Sequence, residues 1–194
     1  VIDMTPSRIG KMCVPMLNLD ECLGEHNINM ISCGGQATTP LARAIMKVHP
    51  ETPYLEVIGS IASRSAGVGT RNNIDEYTQA TSDALEAFTN VPRAKAMIIL
   101  NPADPPIMMH NTVYAEIENP DLDAITREIK DVIARMRSYA PGYSLALKPT
   151  YDRGRLTIMN EVVGRGDFLP PYAGNLDIIN CAAIAAAEAY AKSI

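Results

Sequence analysis

Cys33 has the neighbours most suited to chemistry in this sequence. It stands in Asn29-Met30-Ile31-Ser32-Cys33-Gly34-Gly35-Gln36-Ala37-Thr38, just ahead of a segment that reads as helix. A thiol at a helix start meets the positive end of the dipole and unpaired backbone N–H groups. Both favour thiolate, the nucleophilic form. Two glycines let a substrate come close to the backbone. The same N–H groups could hold an oxyanion developing on a thiohemiacetal. A buried structural cysteine in a tight turn would show the same local pattern. Cys13, Cys22 and Cys181 lack such neighbours, and Cys181 reads as packing on an apolar C-terminal helix.

Three further stretches carry polar groups at useful places. The loop Ser65-Ala66-Gly67-Val68-Gly69-Thr70-Arg71-Asn72-Asn73 ends at a helix start, where anions bind readily, and Arg71 adds a permanent charge. An ordinary capped turn would look alike, because GxG without a third glycine is a weak signal. His110-Asn111, at the start of a strand, could orient or deprotonate a thiol, or His110 could be a lone surface histidine. In Leu169-Pro170-Pro171-Tyr172-Ala173-Gly174-Asn175-Leu176-Asp177-Ile178, Asn175 reads as an N-cap whose amide could also bind a carboxamide or hydroxyl.

The elements that must position these groups follow from periodicity. Residues 1–32 read as irregular, with short extended pieces. Cys33-Gly34-Gly35 reads as a sharp turn, followed by a helix over 37–48 with Pro40 in its first turn. A strand is expected over 54–61, then the polar loop 65–73. The next helix starts near Asn73, with Asn73 and Glu76 as a capping box and Ile74, Tyr77, Leu85 and Phe88 as its apolar stripe. Further strands are expected over 94–100 and 111–118, with the stiff loop Asn101 to Pro106 between them. Leu122, Ile125, Ile129, Val132, Ile133 and Met136 mark a long amphipathic helix. Strands over 143–147 and 156–163 and an Ala-rich helix over 176–192 complete the chain. This order predicts α+β: a largely antiparallel sheet with helices on one face.

Length and charge set the bounds. The chain has 194 residues, enough to bury a core without staples, and a net charge of −5 with no basic stripe. That balance argues against nucleic-acid and anionic-membrane partners. The four cysteines form no CxxC pair, and His26, His49 and His110 give no zinc spacing, so free thiols and no metal are expected. No segment reads as a membrane span or a secretory signal, which predicts a cytoplasmic protein. The opening Val1-Ile2-Asp3-Met4-Thr5-Pro6 reads like the middle of a protein, and the chain has no GxGxxG turn. A dinucleotide-binding domain is expected to lie outside it, leaving 1–194 as one catalytic and dimerisation domain.

Taken together, these stretches resemble the acylating acetaldehyde dehydrogenases that partner 4-hydroxy-2-oxovalerate aldolases in bacterial breakdown of aromatic compounds. The matching segments are Val1 to Pro6, Asn29 to Thr38, Ser63 to Tyr77, Asn101 to Pro106, Thr112-Val113-Tyr114, Tyr139 to Tyr143 and Leu169 to Ile178. The resemblance implies the C-terminal domain of glyceraldehyde-3-phosphate-dehydrogenase-like enzymes. It also implies a homodimer, a short aldehyde substrate, NAD as cofactor and coenzyme A as co-substrate. Cys33 would be the nucleophile. Ser65, Ala66, Gly67, Val68, Gly69, Thr70, Arg71, Asn72, Asn73 and Asn175 match positions that contact NAD.

The chain departs from that family at three places. The nucleotide-binding domain is absent from it. The family pattern Met-Arg-Asp-Thr stands here as Met109-His110-Asn111-Thr112, so an amide replaces the aspartate, and His110 substitutes only if it points inward. The stretch from Ser144 to Glu161 matches poorly. Two other readings therefore stay open: a non-catalytic dimerisation or aldolase-docking module, and a cysteine semialdehyde dehydrogenase that uses phosphate.

Overall fold

The computed structural model describes residues 1–193. A small three-stranded parallel sheet opens the chain, formed by β1 (Ile2–Asp3), β2 (Lys11–Met12) and β3 (Ile28–Asn29), with β3 in the middle. Helix α1 (Pro15–Cys22) links β2 to β3. The expected irregular stretch 1–32 thus contains a helix. Its first turn carries Pro15, but Asn18 breaks the helical path by binding the N–H of Val14 and the carbonyl of Met12. That interruption leaves no apolar period to detect.

Helix α2 (Cys33–Val48) runs through the middle of the molecule. The main sheet comprises β4 (Leu55–Ala62), β5 (Ala94–Asn101), β6 (Met109–Glu116), β7 (Tyr143–Asp152) and β8 (Arg155–Val162), in the order β5-β4-β6-β8-β7. Only the β4–β5 pair is parallel. Between β4 and β5 lie a short 3-10 turn at Ser63–Ser65, helix α3 (Val68–Asn72) and helix α4 (Ile74–Thr89). Helix α5 (Leu122–Met136) precedes β7, and α6 (Gly174–Ser193) ends the described chain. The predicted largely antiparallel α+β arrangement is what forms. The expected loop 65–73 is instead mostly the 3-10 turn and α3.

Strand alternation separates the two faces of the sheet. Leu55, Val57 and Ile61 of β4, Met109, Asn111, Val113 and Ala115 of β6, and Leu156, Ile158, Asn160 and Val162 of β8 are all buried. Helices α2, α4 and α5 cover this side, with α2 over β4 and β6, α4 over β5 and α5 over β7. Helix α6 lies on α2 from beyond, so α2 is buried on nearly every side. The opposite face carries Glu56, Ile58, Met97, Ile99, His110, Thr112, Tyr114, Met159 and Glu161 without a covering layer, and Ile99 and Leu147 are exposed there.

Candidate active site

Cys33 is the first residue of α2, not part of a turn before it. Ser32 is extended and caps the helix, its hydroxyl accepting the Gly35 N–H at 2.8 Å. Gly34 and Gly35 are therefore helical, and Pro40 sits deeper in the helix than its first turn. Tertiary contacts override their poor helix propensity. Tyr143 donates from β7 to the Ala37 carbonyl, and Gln36 donates to the carbonyls of Cys13 and Met30, fastening this end of α2 on two sides.

The approach to Cys33 is strained. Ile31, β-branched and buried, has a φ of +68°, a region such residues rarely adopt. It is held there by the Asn29 side chain, which accepts the Ile31 N–H at 2.9 Å. Asn29 in turn donates to the Asp3 carboxylate and the Thr5 carbonyl. Burial opposes ionisation of Asp3, yet its bonds from Ser7, Thr5 and Asn29 outweigh it and hold the carboxyl below its ordinary range. This network fixes Met4, Thr5 and Pro6, which form one wall of a pocket over Cys33.

That pocket, of about 240 Å³, is lined by Met4, Thr5, Pro6, Ser32, Cys33, Gly69, Thr70, Asn73, Tyr77, Asn175, Leu176 and Ile179. Five sequence-predicted site residues meet there: Cys33, Gly69, Thr70, Asn73 and Asn175. Ser65 lies beneath them, its carbonyl facing the Asn175 amide at 3.4 Å. Ala66 is buried in the core, whereas Gly67, Val68, Arg71 and Asn72 face outward.

Several expected roles are corrected. Asn73 occupies the N-cap position of α4, but its amide turns back to donate to the Gly69 carbonyl, so no capping box forms. Asn175 does not cap α6; it is a buried residue of its first turn, and its Oδ1 has no partner among the described residues. Arg71 keeps its charge but is folded back onto its own loop, donating to the carbonyls of Ala66 and Ser63 and to the Ser63 hydroxyl. His110 points to the uncovered face of the sheet, where Nε2 meets Glu161 at 3.1 Å. It cannot serve Cys33, since alternation sends it to the side away from α2. Asn111 is on the Cys33 side but fully buried and outside the pocket lining, opposite Asn160 across β6–β8. Neither side-chain amide has a hydrogen-bond partner among the described residues.

Tyr77 is the site residue that periodicity alone hides. It belongs to the apolar stripe of α4, yet its hydroxyl lines the pocket beside Cys33. A Cβ on Gly34 would lie 2.0 Å from that oxygen, so the phenol is seated directly on the glycine. The clue in the sequence was a tyrosine at a core position, which needs a polar neighbour for its O–H. Electrostatically the thiol is not activated at rest. Burial pushes Cys33 up to about 11, against the opposing pull of the Gly34 N–H, the Tyr77 hydroxyl and its own N–H. Cys13 and Cys22 are buried side by side in the N-terminal unit, and Cys181 lies 3.7 Å from Asp177.

No helix among the described residues is long and apolar enough to cross a membrane. No group of three or more His, Cys, Asp or Glu side chains among them is placed to hold a metal.

Comparison with known proteins shows the family. Residues 33–170 match the family described as prokaryotic acetaldehyde dehydrogenase, dimerisation. The chain is 54% identical over 190 residues to an acetaldehyde dehydrogenase of Pectobacterium atrosepticum, covering 97% of this chain and 64% of the relative. It is 52% identical over 193 residues to one of Spirochaeta aurantia, covering 100% of this chain and 65% of the relative. The chain thus spans under two thirds of the length of these relatives. Among solved structures, aspartate semialdehyde dehydrogenase II of Vibrio cholerae shares the fold, with a TM-score of 0.62 at 12% identity over 99% of this chain and 70% of that one. A match through most of its length, centred on a domain that begins at Cys33, means that the chain belongs to the prokaryotic acetaldehyde dehydrogenase dimerisation family.

Proposed function

We propose that this chain is the thioester-forming domain of a CoA-acylating aldehyde dehydrogenase that takes acetaldehyde or another short aldehyde. The observation that carries the reading is the convergence of Cys33, at the N-terminus of a capped 16-residue helix, with Thr70, Asn73, Tyr77 and Asn175 around one small pocket. The Cys33 sulfur adds to the aldehyde carbon, a C–S bond forms, and the carbonyl oxygen takes up the proton the thiol gives. The carbon of that thiohemiacetal then releases hydride, and its hydroxyl proton leaves to solvent, which yields a thioester on Cys33. The thiol of coenzyme A displaces Cys33, whose sulfur departs as thiolate and then takes up the proton that the attacking thiol released. The Cys33 and Gly34 N–H groups bear on the charge that develops at the sulfur.

NAD, when bound, supplies the hydride acceptor. The residues present fit its nicotinamide end: Asn175 Oδ1 is a buried acceptor without a partner, beside the Cys33 pocket and suited to a carboxamide N–H. No part of this chain offers a GxGxxG turn, so the reading assigns the nucleotide end to a domain outside residues 1–194.

The uncovered sheet face favours a second role in the same protein. Ile58, Met97, Ile99, Leu147 and Met159 lie on it, and the reading makes it the contact of a homodimer. A 4-hydroxy-2-oxovalerate aldolase remains the proposed partner, on the resemblance alone. The absence of a general base near Cys33 would suit a module that only dimerises or docks. Incubation with 4-nitrophenyl acetate and, separately, acetyl-CoA decides between the two. An acetyl group on Cys33, located by peptide mass spectrometry and lost in Cys33→Ser, is the expected result. No adduct with either donor on the folded protein refutes catalysis.

A further inference from the structure

Of the residues lining the Cys33 pocket, only Cys33 and Tyr77 can titrate. The remaining polar groups there are hydroxyls and amides, and the nearest candidates for a base fail on position. His110 is on the far face, Asn111 is an amide, Asp3 is engaged by Thr5, Ser7 and Asn29, and Asp177 faces Cys181. Charge on the sulfur must therefore be met by neutral donors.

Tyr77 is placed to be one. Its hydroxyl is seated on Gly34 and faces the Cys33 thiol, and Tyr77 lines the same pocket. The backbone of its own turn is fixed by a one-way chain in which Ser32 donates to Thr81 and Thr81 to the Tyr77 carbonyl, each at 2.7 Å. Burial keeps the phenol protonated well above its ordinary range, so the O–H persists as a donor when the thiol ionises. The resting thiol is a weak acceptor for that O–H; a thiolate is a far stronger one.

We propose that Tyr77 is a catalytic residue of this site, donating its hydroxyl hydrogen bond to the Cys33 sulfur whenever that atom carries negative charge. The inference rests on the reading of Cys33 as nucleophile. No proton is transferred: the O–H bond of Tyr77 stays intact, and the thiol proton leaves separately to solvent or to the aldehyde oxygen. The role applies both to the thiolate that attacks the aldehyde and to the thiolate expelled when coenzyme A takes the acyl group.

The test is the pH profile of iodoacetamide alkylation at Cys33, read by peptide mass spectrometry on the full chain. A charge-assisted hydrogen bond is worth roughly a tenfold change or more in ionisation. Tyr77→Phe is therefore expected to move the Cys33 midpoint up by about one pH unit, leaving those of the other cysteines in place. Replacing Tyr77 with 3-fluorotyrosine, a stronger donor of nearly the same size, should move it down. Profiles that coincide for all three proteins overturn the proposal. So does a Tyr77→Phe shift that 3-fluorotyrosine repeats in the same direction, since that would report packing. Acetyl transfer to wild-type Cys33 is scored separately. If the midpoints shift as expected but no acetyl transfer occurs, the function is refuted and the hydrogen bond stands.

Discussion

Gly34→Ala isolates the seat of Tyr77 without touching either reacting side chain. At a helical position the change should stabilise the protein by up to about 1 kcal/mol, because alanine loses less backbone entropy. Here the new methyl would lie 2.0 Å from the Tyr77 oxygen and 3.0 Å from its Cζ. The phenol must withdraw by well over an ångström. Its ring is wedged between α2 and β4, where a Cβ on Gly59 would also meet the hydroxyl, at 3.1 Å. The pocket that Tyr77 lines gives it open space to move into. Forcing a buried ring aside costs about 1–3 kcal/mol. Set against the propensity gain, the net expectation is a loss of roughly 0–2 kcal/mol.

Urea unfolding gives that number, and alkylation kinetics give its chemical consequence. With Tyr77 pushed into the pocket, Cys33 should react more slowly at every pH below its midpoint, and the midpoint should rise as in Tyr77→Phe. The reasoning is refuted if Gly34→Ala gains the full ~1 kcal/mol and leaves the Cys33 profile unchanged. That pair of results would mean that the phenol does not rest on the glycine and that α2 accepts a side chain there.

Other perturbations test separate parts of the structure. Asp3→Asn removes a carboxylate whose folded pKa is lowered, so the stability it contributes is present above its unfolded value and fades as pH falls through the folded one. Asp3 is only half-buried, so the expected loss in urea titrations is at most about 1 kcal/mol at pH 7, with the two proteins converging as pH falls through the folded value. Asn111→Asp places a carboxyl at a fully buried site opposite Asn160. Its folded pKa should be raised, so the variant should be nearest wild-type stability below the unfolded value, about 3.9, and lose stability as pH rises, by about 1–3 kcal/mol at neutrality. Ile99→Lys puts a charge on the uncovered sheet face and should convert a dimer to monomer in sedimentation experiments, with the circular dichroism unchanged.

Much of the fold was legible because long elements carry their own period. Ile125, Ile129, Val132 and Met136 give one face of α5, and all four are buried. The β6 strand reads the same way: Met109, Asn111, Val113 and Ala115 share the buried parity, and His110 falls on the other. The expected strand begins at 111, two residues after β6 does, so the side of His110 stays open in the sequence, as does the lack of a partner for Asn111. Local signals failed where distant residues decide. Gly34-Gly35 looks like a turn until Ser32 caps the helix and Tyr77 and Ile31 fill the space that side chains there would need. Asn73 and Asn175 have the residue type of caps, but the Gly69 and Ser65 carbonyls lie within their reach and claim their amides.

The candidate site poses a sharper question than the fold does. A nucleophilic cysteine is ordinarily prepared by a base or a cation, and neither lines this pocket. Burial works against the thiolate here, and what opposes it is the α2 N-terminus and one phenol. Such donors do little for a neutral thiol and most for charge that has already formed. Their effect is therefore concentrated on the steps in which sulfur is anionic, attack and departure, and is small in the resting protein. A site of this kind would protect Cys33 from adventitious alkylation at neutral pH while still lowering the barrier to an aldehyde that can take up the thiol's proton as the C–S bond forms. A raised thiol pKa and the proposed catalysis would then have one origin: a pocket that stabilises negative sulfur only by hydrogen bonds.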